Sequence, residues 1–393
     1  MTHHEQDRNP YDFALELLTA NGFGGMAGAI ELLINEAMKI EREGYLGAGH
    51  YERSGDRRGY ANGFKPKQVN TRIGKLSLQI PKARDLEEGV EPFYPHALER
   101  GARSERALKL ALAEMYVQGV STRKVTEITR ELCGLDVSSS QVSRLMAELD
   151  EKLEQWRKRP LGEYPYILMD ARYENVRHGG SVVRIALLYT VGIGYDGKRK
   201  VLGVSASLSE AEVHWREHFE KLIVRGLRGV KLIVSDDHAG MRAARTAIFS
   251  GVPWQRCQFH LQQNAQSYVP KVSQREEVAR DIRSIFNAAD GHEAMRVLTA
   301  VVSKWADSAP ALATWMEENI PEGLTVFTLP AKHWRRMRTS NLLERLSREI
   351  KRRTRVATLF PNEASLLRLA TAILAEVSEE WETGRIYLNM EPE

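Results

Sequence analysis

The sequence predicts an α/β protein: a mixed sheet flanked by helices, preceded by a mostly helical N-terminal region and interrupted by an all-helical stretch. Three observations predict it. Between Pro160 and His260, strand patterns alternate with amphipathic helix patterns in the order strand, hairpin, helix, strand, helix, strand. Before Pro160, apolar residues recur mainly at three- and four-residue steps, the helical period. After His260 the strand patterns vanish.

Taken in order, residues 11–48 read as helix, from "FALELLTA" to "AIELLINEAMKIEREGYLG". Residues 50–85 are rich in Gly, Asn and Lys, with "KLSLQI" alternating, and read as a short basic hairpin. "SERALKLALAEMYVQG" is a helix ending at Gly119. "STRKVTEITREL" is a second, with Ser121 as N-cap and Gly134 as breaker. "SSSQVSRLMAELDEKLEQWRKR" is a third, capped by Ser138 or Ser139. This is the helix-turn-helix layout, with polar Gln141, Ser143 and Arg144 at the front of the last helix. Pure helix packing is the competing reading.

Beyond Pro160, "YPYILMDARYENV" reads as a strand. Two more strands flank an Asp196-Gly197 turn, a hairpin signal. "SEAEVHWREHFEKLIVRGL" is an amphipathic helix, and "GVKLIVSDD" a wholly apolar, buried strand. "AGMRAARTAIFS" is a helix and "VPWQRCQFH" another strand. Residues 261–320 are helical with breaks near Gly291 and Pro310; further helices begin near Asn341 and cover about 363–382.

Apolar residues make up 42% and charged residues 27%, a balance that excludes wholesale disorder. No run of 18 consecutive apolar residues occurs and the first residues are polar, so a cytoplasmic location without a membrane partner is expected. Two cysteines, Cys133 and Cys257, give no disulfide framework. The net charge of +4 is unevenly spread. Ten Lys/Arg face two acids between Lys332 and Arg355, and nine face two between Glu52 and Arg84. Such blocks suit a polyanion, although a solvated face would look the same.

Three acids stand out. Asp170 lies inside a hydrophobic strand, where a carboxylate is costly without a cation or hydrogen-bond donors. Asp236 follows "KLIV" at a strand end, where ligands of open α/β sheets gather. If the two strands are neighbours, these hard oxygen ligands suit Mg²⁺ or Mn²⁺. Glu344 lies in "TSNLLERLSREIKRRTR", on a helical face shared with Arg348 and Arg355. Salt bridges or caps would also explain the acids; Asn341 and Glu344 have the spacing of a capping box. A Cys-x-x-His pair, Cys257 and His260, is two ligands short of a structural zinc site.

Together these segments resemble the Mutator-type transposases of bacterial insertion sequences, from about Asn62 to Phe360. The basic segment, "YVQGVSTRKVTEI…GLDVSSSQVSRL", "MDARYENVR", the Glu210…Trp215 stretch, "LIVSDDHAGMRAA", "WQRCQFHLQQN" and "TSNLLERLSREIKRRTRV…LFPN" follow in the family's order. The resemblance implies an RNase H-like fold with a DDE triad, Asp170, Asp236 and Glu344, holding two Mg²⁺ or Mn²⁺ ions. It selects Asp236, four positions before Gly240, over Asp237, which stands where the family commonly has glycine. Gln263 departs from the family's usual arginine.

The implied organisation is an N-terminal helical and hairpin region at 1–100 and a helix-turn-helix region at 101–159. The catalytic core follows at 160–260, a helical insertion at 261–335, and the core's second part at 336–393. Double-stranded DNA would be held by Arg348, Lys351, Arg352 and Arg355, by Gln141, Ser143 and Arg144, and by Lys65 and Lys67. His260, Cys257, His238 and Asn341 would lie near the site. The implied activity is cleavage at terminal inverted repeats and joining of the 3′-hydroxyl to target DNA, by a dimer or larger synaptic assembly. The alternatives are a catalytically silent DNA-binding regulator and a structure-specific nuclease on the same fold.

Overall fold

The computed structural model describes residues 9–49, 52–86, 91–98, 100, 104–138, 140–142, 144, 149–355 and 359–391. The chain divides into two compact units, Met1–Ala147 and Glu148–Glu393.

In the first unit, α1 (Pro10–Asn21) is capped by Asn9, whose Oδ1 accepts the Tyr11 N–H at 3.0 Å. A 3₁₀ turn (Gly22–Gly25) joins it to α2 (Met26–Leu46). The stretch Pro10–Leu46 is long and apolar enough by composition to cross a membrane. It is broken at that turn, however, and α2 carries Glu31, Glu36, Lys39, Glu41, Arg42 and Glu43. On the hairpin of β1 (Tyr60–Thr71) and β2 (Gly74–Arg84), Val69, Leu76 and Leu78 share a core with Met38, Ile30 and Ile34 of α2. The outward N–H groups of Ser77 and Gln79 donate to Glu31 Oε2 at 2.7 Å and Asn35 Oδ1 at 2.8 Å, so α2 satisfies the edge of β2.

Three helical segments follow. They are α3 (Arg106–Val117), α4 (Thr122–Cys133) and a turn of helix that includes residues 140–142. Ser121 Oγ caps α4 by accepting the Lys124 N–H at 3.1 Å, and Gly134 ends it with φ of 63°. Ser138 and Gln141 form a reciprocal capping box, with Ser138 Oγ accepting the Gln141 N–H at 3.2 Å and Gln141 Oε1 the Ser138 N–H at 2.7 Å. Leu108, Leu112, Val125, Leu135, Val137 and Val142 form the core of this trio. Ser139, Ser143 and residues 145–148 of the expected third helix lie outside the described residues.

The second unit begins with α5 (Asp150–Lys158), tied by the Asp150–Arg368 pair at 2.6 Å to the last helix. Its sheet has the order β5-β4-β3-β6-β7, from β3 (Tyr166–His178), β4 (Ser181–Ile193), β5 (Arg199–Ser207), β6 (Leu232–Ser235) and β7 (Trp254–Arg256). The pairs β3–β4 and β4–β5 are antiparallel; β3–β6 and β6–β7 are parallel. On one face Ile167, Met169 and Ile233 pack against Trp215 and Phe219 of α6 (Glu212–Val224) and Met241 of α7 (Ala239–Ile248). Side chains alternate along a strand. Asp170, and Asp236 one residue past the end of β6, therefore stand on the opposite face.

The expected strand over "VPWQRCQFH" is only Trp254–Arg256; Gln258–Ala265 is instead a helix, α8. Polar anchors stop the strand. The Gln255 side chain donates to the Gly323 carbonyl at 2.8 Å and accepts the Val326 N–H at 2.6 Å, and the Cys257 N–H donates to Ser235 O at 3.0 Å. Cys257 is thus a buried helix N-cap rather than a strand residue.

Beyond α8 come α9 (Arg275–Phe286), α10 (Gly291–Trp305) and α11 (Pro310–Asn319). They share a core that includes Leu261, Ile282, Leu298, Leu312 and Met316. After α12 (Ala331–Met337), α13 (Asn341–Thr354) lies against β3. The last helix, α14 (Glu363–Thr383), packs on β5 and β3.

Candidate active site

The parallel register sets the first two acids side by side. Leu168 pairs with Val234 and Met169 with Ser235, so Asp170 and Asp236 occupy the next position on adjacent strands, about 4.8 Å apart between strand axes. Asp170 is well held: Oδ1 accepts the Ala171 N–H at 2.8 Å and Oδ2 the Tyr189 hydroxyl at 2.9 Å. Burial pushes its carboxyl up to about 6 against those two hydrogen bonds, and the Asp236 charge adds to the rise.

The Gly179-Gly180 turn makes Tyr189 the partner of Asp170. Both glycines have positive φ, 55° and 84°, as a tight hairpin turn of the primed type demands. His178 pairs with Ser181, and the unbroken register then carries Asp170 opposite Tyr189. Tyr189 did not stand out in the sequence. Counting nine residues outward on each side of the Gly-Gly pair would have found it.

Asp236 and Asp237 face different partners. Asp236 Oδ1 lies 3.1 Å from His260 Nδ1, off the line a hydrogen bond requires. Asp237 is spent on arginines: Oδ1 meets Arg242 Nε at 2.8 Å and Oδ2 meets Arg256 Nη1 at 3.1 Å. Arg256, buried, also reaches Glu322 Oε2 at 3.0 Å and Asn319 Oδ1 at 2.9 Å. Asp237 therefore anchors its loop to the Ile320–Gly323 turn, and Arg256 and Glu322 were not singled out in the sequence.

Glu344 is one turn into α13. The capping-box reading fails there: Ser340, not Asn341, is the N-cap, and no side chain caps the helix. Glu344 Oε1 is instead buried without a hydrogen-bond partner. The start of α13 is fixed by Cys257, whose Sγ accepts the Ser340 N–H at 3.3 Å, while Gln258 N–H donates to the Arg338 carbonyl at 3.0 Å. Cys257 thus ties the end of β6, through Ser235, to the head of the Glu344 helix.

His260 sits among these groups. A hydrogen bond to Cys257 raises its imidazole to about 9 against burial, with the charges of Asp236 and Glu344 adding to the rise. The Cys257 thiol is raised by burial but lowered more by His260 and Ser340, for a net fall. His238 Nδ1 stands 3.8 Å from Glu210 Oε2. Burial pushes the Glu210 carboxyl up, with His238 and Tyr173 opposing and the Asp236 charge adding. Trp215, by contrast, is buried in the sheet core.

The other expected contacts scatter. Arg348 and Lys351 are exposed on α13 and Arg355 is exposed at its C-cap, whereas Arg352 is paired with Glu349 at 2.7 Å. Gln141 spends its amide oxygen on the capping box, and the Nε of exposed Arg144 donates to Ser140 O at 3.4 Å. Lys65 is exposed and Lys67 donates to the Tyr94 hydroxyl at 2.9 Å. Asn341 is exposed at the first position of α13.

The donor chemistry suits a hard divalent cation: one carboxylate resists ionisation through burial, a second stands beside it, and a third has an unmet buried oxygen. Among the described residues, no three His, Cys, Asp or Glu side chains already form a group able to hold a metal ion.

The family described as "Transposase, Mutator family" matches residues 14–384. The chain is 54% identical to the transposase for insertion sequence element IS406 of Burkholderia multivorans, covering 98% of this chain and 99% of that protein. It is 41% identical to the transposase for element ISRM5 of Rhizobium meliloti, over 93% of this chain and 91% of that one. Identity to the transposase for element IS256 in transposon Tn4001 of Staphylococcus aureus is 34%, over 91% and 92%.

Proposed function

The chain belongs to the Mutator family of transposases, and from that premise we propose that it cuts DNA at the terminal inverted repeats of an insertion sequence and joins the freed end to target DNA. The reading takes the second unit as an RNase H-like core, with the helices between β7 and α13 as its insertion. The strand order and the three antiparallel-paired strands beside two parallel ones support it.

The observation that carries the reading is the register that sets Asp170 beside Asp236, on the sheet face where α13 brings Glu344. These three side chains would hold two Mg²⁺ or Mn²⁺ ions. When bound, such ions supply Lewis-acid stabilisation of the attacking and leaving oxygens. Tyr189 and the Ala171 N–H fix the Asp170 carboxylate in one orientation. Cys257 keeps the Glu344 helix in step with the Asp236 strand. Protonated His260 balances the acids and offers a cation to a phosphate oxygen; Arg348, Lys351 and Arg355 hold the backbone nearby. Water first opens the phosphodiester at the transposon end, leaving a 3′-hydroxyl. That hydroxyl then attacks a target phosphodiester and releases the target strand's own 3′-oxygen. Pairing two ends calls for a dimer or larger assembly.

Strand cleavage of a labelled duplex bearing the repeats that flank the gene, with Mg²⁺, tests this. Asp170→Ala, Asp236→Ala and Glu344→Ala should each abolish cutting while still binding the duplex. Asp237→Ala should retain cutting, weakened through its arginines. A dead Asp237→Ala beside an active Asp236→Ala would overturn the assignment.

A further inference from the structure

The chain does not stop at the end of α14. Residues 384–391 turn back across the second unit and reach the helix that precedes the Glu344 helix. Tyr387 N–H and Leu388 N–H both donate to the Gly197 carbonyl of the β4–β5 turn, at 2.9 and 3.1 Å. That turn is shaped for the visit: Gly197 has φ of 70°, and a Cβ there would fall on the Leu388 carbonyl oxygen. Leu388 is buried. The Tyr387 ring gathers two guanidinium groups, Arg199 of β5 at 4.7 Å and Arg336 of α12 at 4.9 Å from its centroid, and Arg199 also lies 4.6 Å from the Trp381 ring of α14. Burial raises the Tyr387 hydroxyl above its ordinary range, with the arginine charges opposing, so the ring holds both cations while neutral.

Three residues of α12 meet this segment. Lys332 Nζ donates to the Glu391 carbonyl at 2.6 Å, His333 Nε2 donates to the Asn389 carbonyl at 2.7 Å, and Arg336 takes Tyr387. On its other side His333 is buried, with Nδ1 3.0 Å from the Tyr166 hydroxyl. Tyr166 stands at the start of β3, on the face that carries Asp170. The helix α12 is therefore held between the returning segment and the Asp170 strand. Among the described residues, the hydrogen bonds and ring contacts of 384–391 beyond itself go to the Gly197 turn, Arg199 and α12. Only the link 338–340 separates α12 from α13, so a shift of α12 moves the head of the helix that bears Glu344. Cys257 and Gln258 pin that link from one side; α12 sets it from the other.

We propose that residues 386–389 are a clasp that fixes α12 against the start of β3, with Tyr387 the positioning residue that keeps Glu344 in reach of Asp170. The proposal rests on the reading of Asp170, Asp236 and Glu344 as the metal-holding set. The test uses the full chain, with Mn²⁺ calorimetry, hydrogen exchange in the absence of metal, and thermal unfolding. Tyr387→Leu removes the ring, Tyr387→Phe keeps it, and Gly197→Ala displaces the segment from the opposite side.

Tyr387→Leu and Gly197→Ala should each weaken Mn²⁺ binding by about tenfold, the scale on which supporting groups act on metal affinity. Exchange should quicken at 331–347 while the sheet keeps its protection. Tyr387→Phe should recover most of the affinity. Unchanged Mn²⁺ affinity and unchanged exchange at 331–347 in Tyr387→Leu and Gly197→Ala would overturn the clasp. So would exchange that quickens evenly through the unit with a lowered melting temperature, since a general staple gives that pattern. Failure of the unaltered protein to bind Mn²⁺ would sink the metal reading instead, and the exchange pattern would then decide the clasp by itself.

Discussion

A histidine buried between two hydroxyls shows what one residue contributes to the whole. His218 of α6 is fully enclosed, with Nε2 2.9 Å from Thr190 Oγ1 and Nδ1 2.7 Å from Ser205 Oγ. Burial lowers its imidazole to about 3, and the Lys221 and Arg225 charges push the same way. The folded value lies below the unfolded one near 6.5, so the unfolded chain binds the extra proton. Stability is therefore full above the unfolded value and is lost as pH falls from there toward the folded one, by about 1.4 kcal/mol per pH unit. Urea unfolding of the wild type between neutral and mildly acid pH should show that slope. His218→Gln should start less stable yet flatten it by about one proton; an unaltered slope would show that another group carries it. Asp236 and Asp237 make the complementary point. Two neighbouring carboxylates of identical chemistry part ways because one faces His260 and the other two arginines.

At the scale of elements, close packing beside the site makes one glycine indispensable. A Cβ at Gly240 would fall on the Glu210 carbonyl oxygen and crowd Ala211, so α7 can approach the β5–α6 loop only without a side chain there. Gly240→Ala should cost about 1–3 kcal/mol, the usual range for overpacking, and should impair strand cleavage by displacing the loop that bears Asp236. Equilibrium denaturation and the cleavage assay together check it. A variant of unchanged stability would mean that the loop yields freely. The sequence marks this glycine only through its spacing from Asp236; the carbonyl it makes room for comes from a segment 30 residues earlier. The same limit explains what else was hidden. The β3–β4–β5 meander was legible because its apolar runs and its Asp-Gly turn are local. The helix at Gln258 was not, since Gly323, Val326 and Ser235 end the strand from outside it. Asp170 was legible as an acid in an apolar strand, but the Arg256–Glu322 pair that occupies Asp237 joins distant parts of the chain.

On the scale of the molecule, each unit has its own cores. In Met1–Ala147, one cluster joins α2 to the hairpin and another joins α3, α4 and the segment through Val142. A chain of that length buries enough surface to fold alone, and it carries the basic block from Glu52 to Arg84 with no member of the Asp170, Asp236 and Glu344 set. Expressed by itself, this fragment should melt cooperatively, with circular dichroism of mixed helix and strand. It should bind duplex DNA with a steep salt dependence and cut nothing. Glu148–Glu393 holds all three acids and the second basic block. Alone, it should bind Mn²⁺, measured by calorimetry, and lose that binding in Glu344→Gln. If the first fragment unfolds without cooperativity, its two clusters are insufficient cores and DNA capture cannot be separated from the rest of the chain. If it melts cooperatively yet ignores DNA, the hairpin's charge serves solubility, and the second unit must find the transposon end by its own basic block.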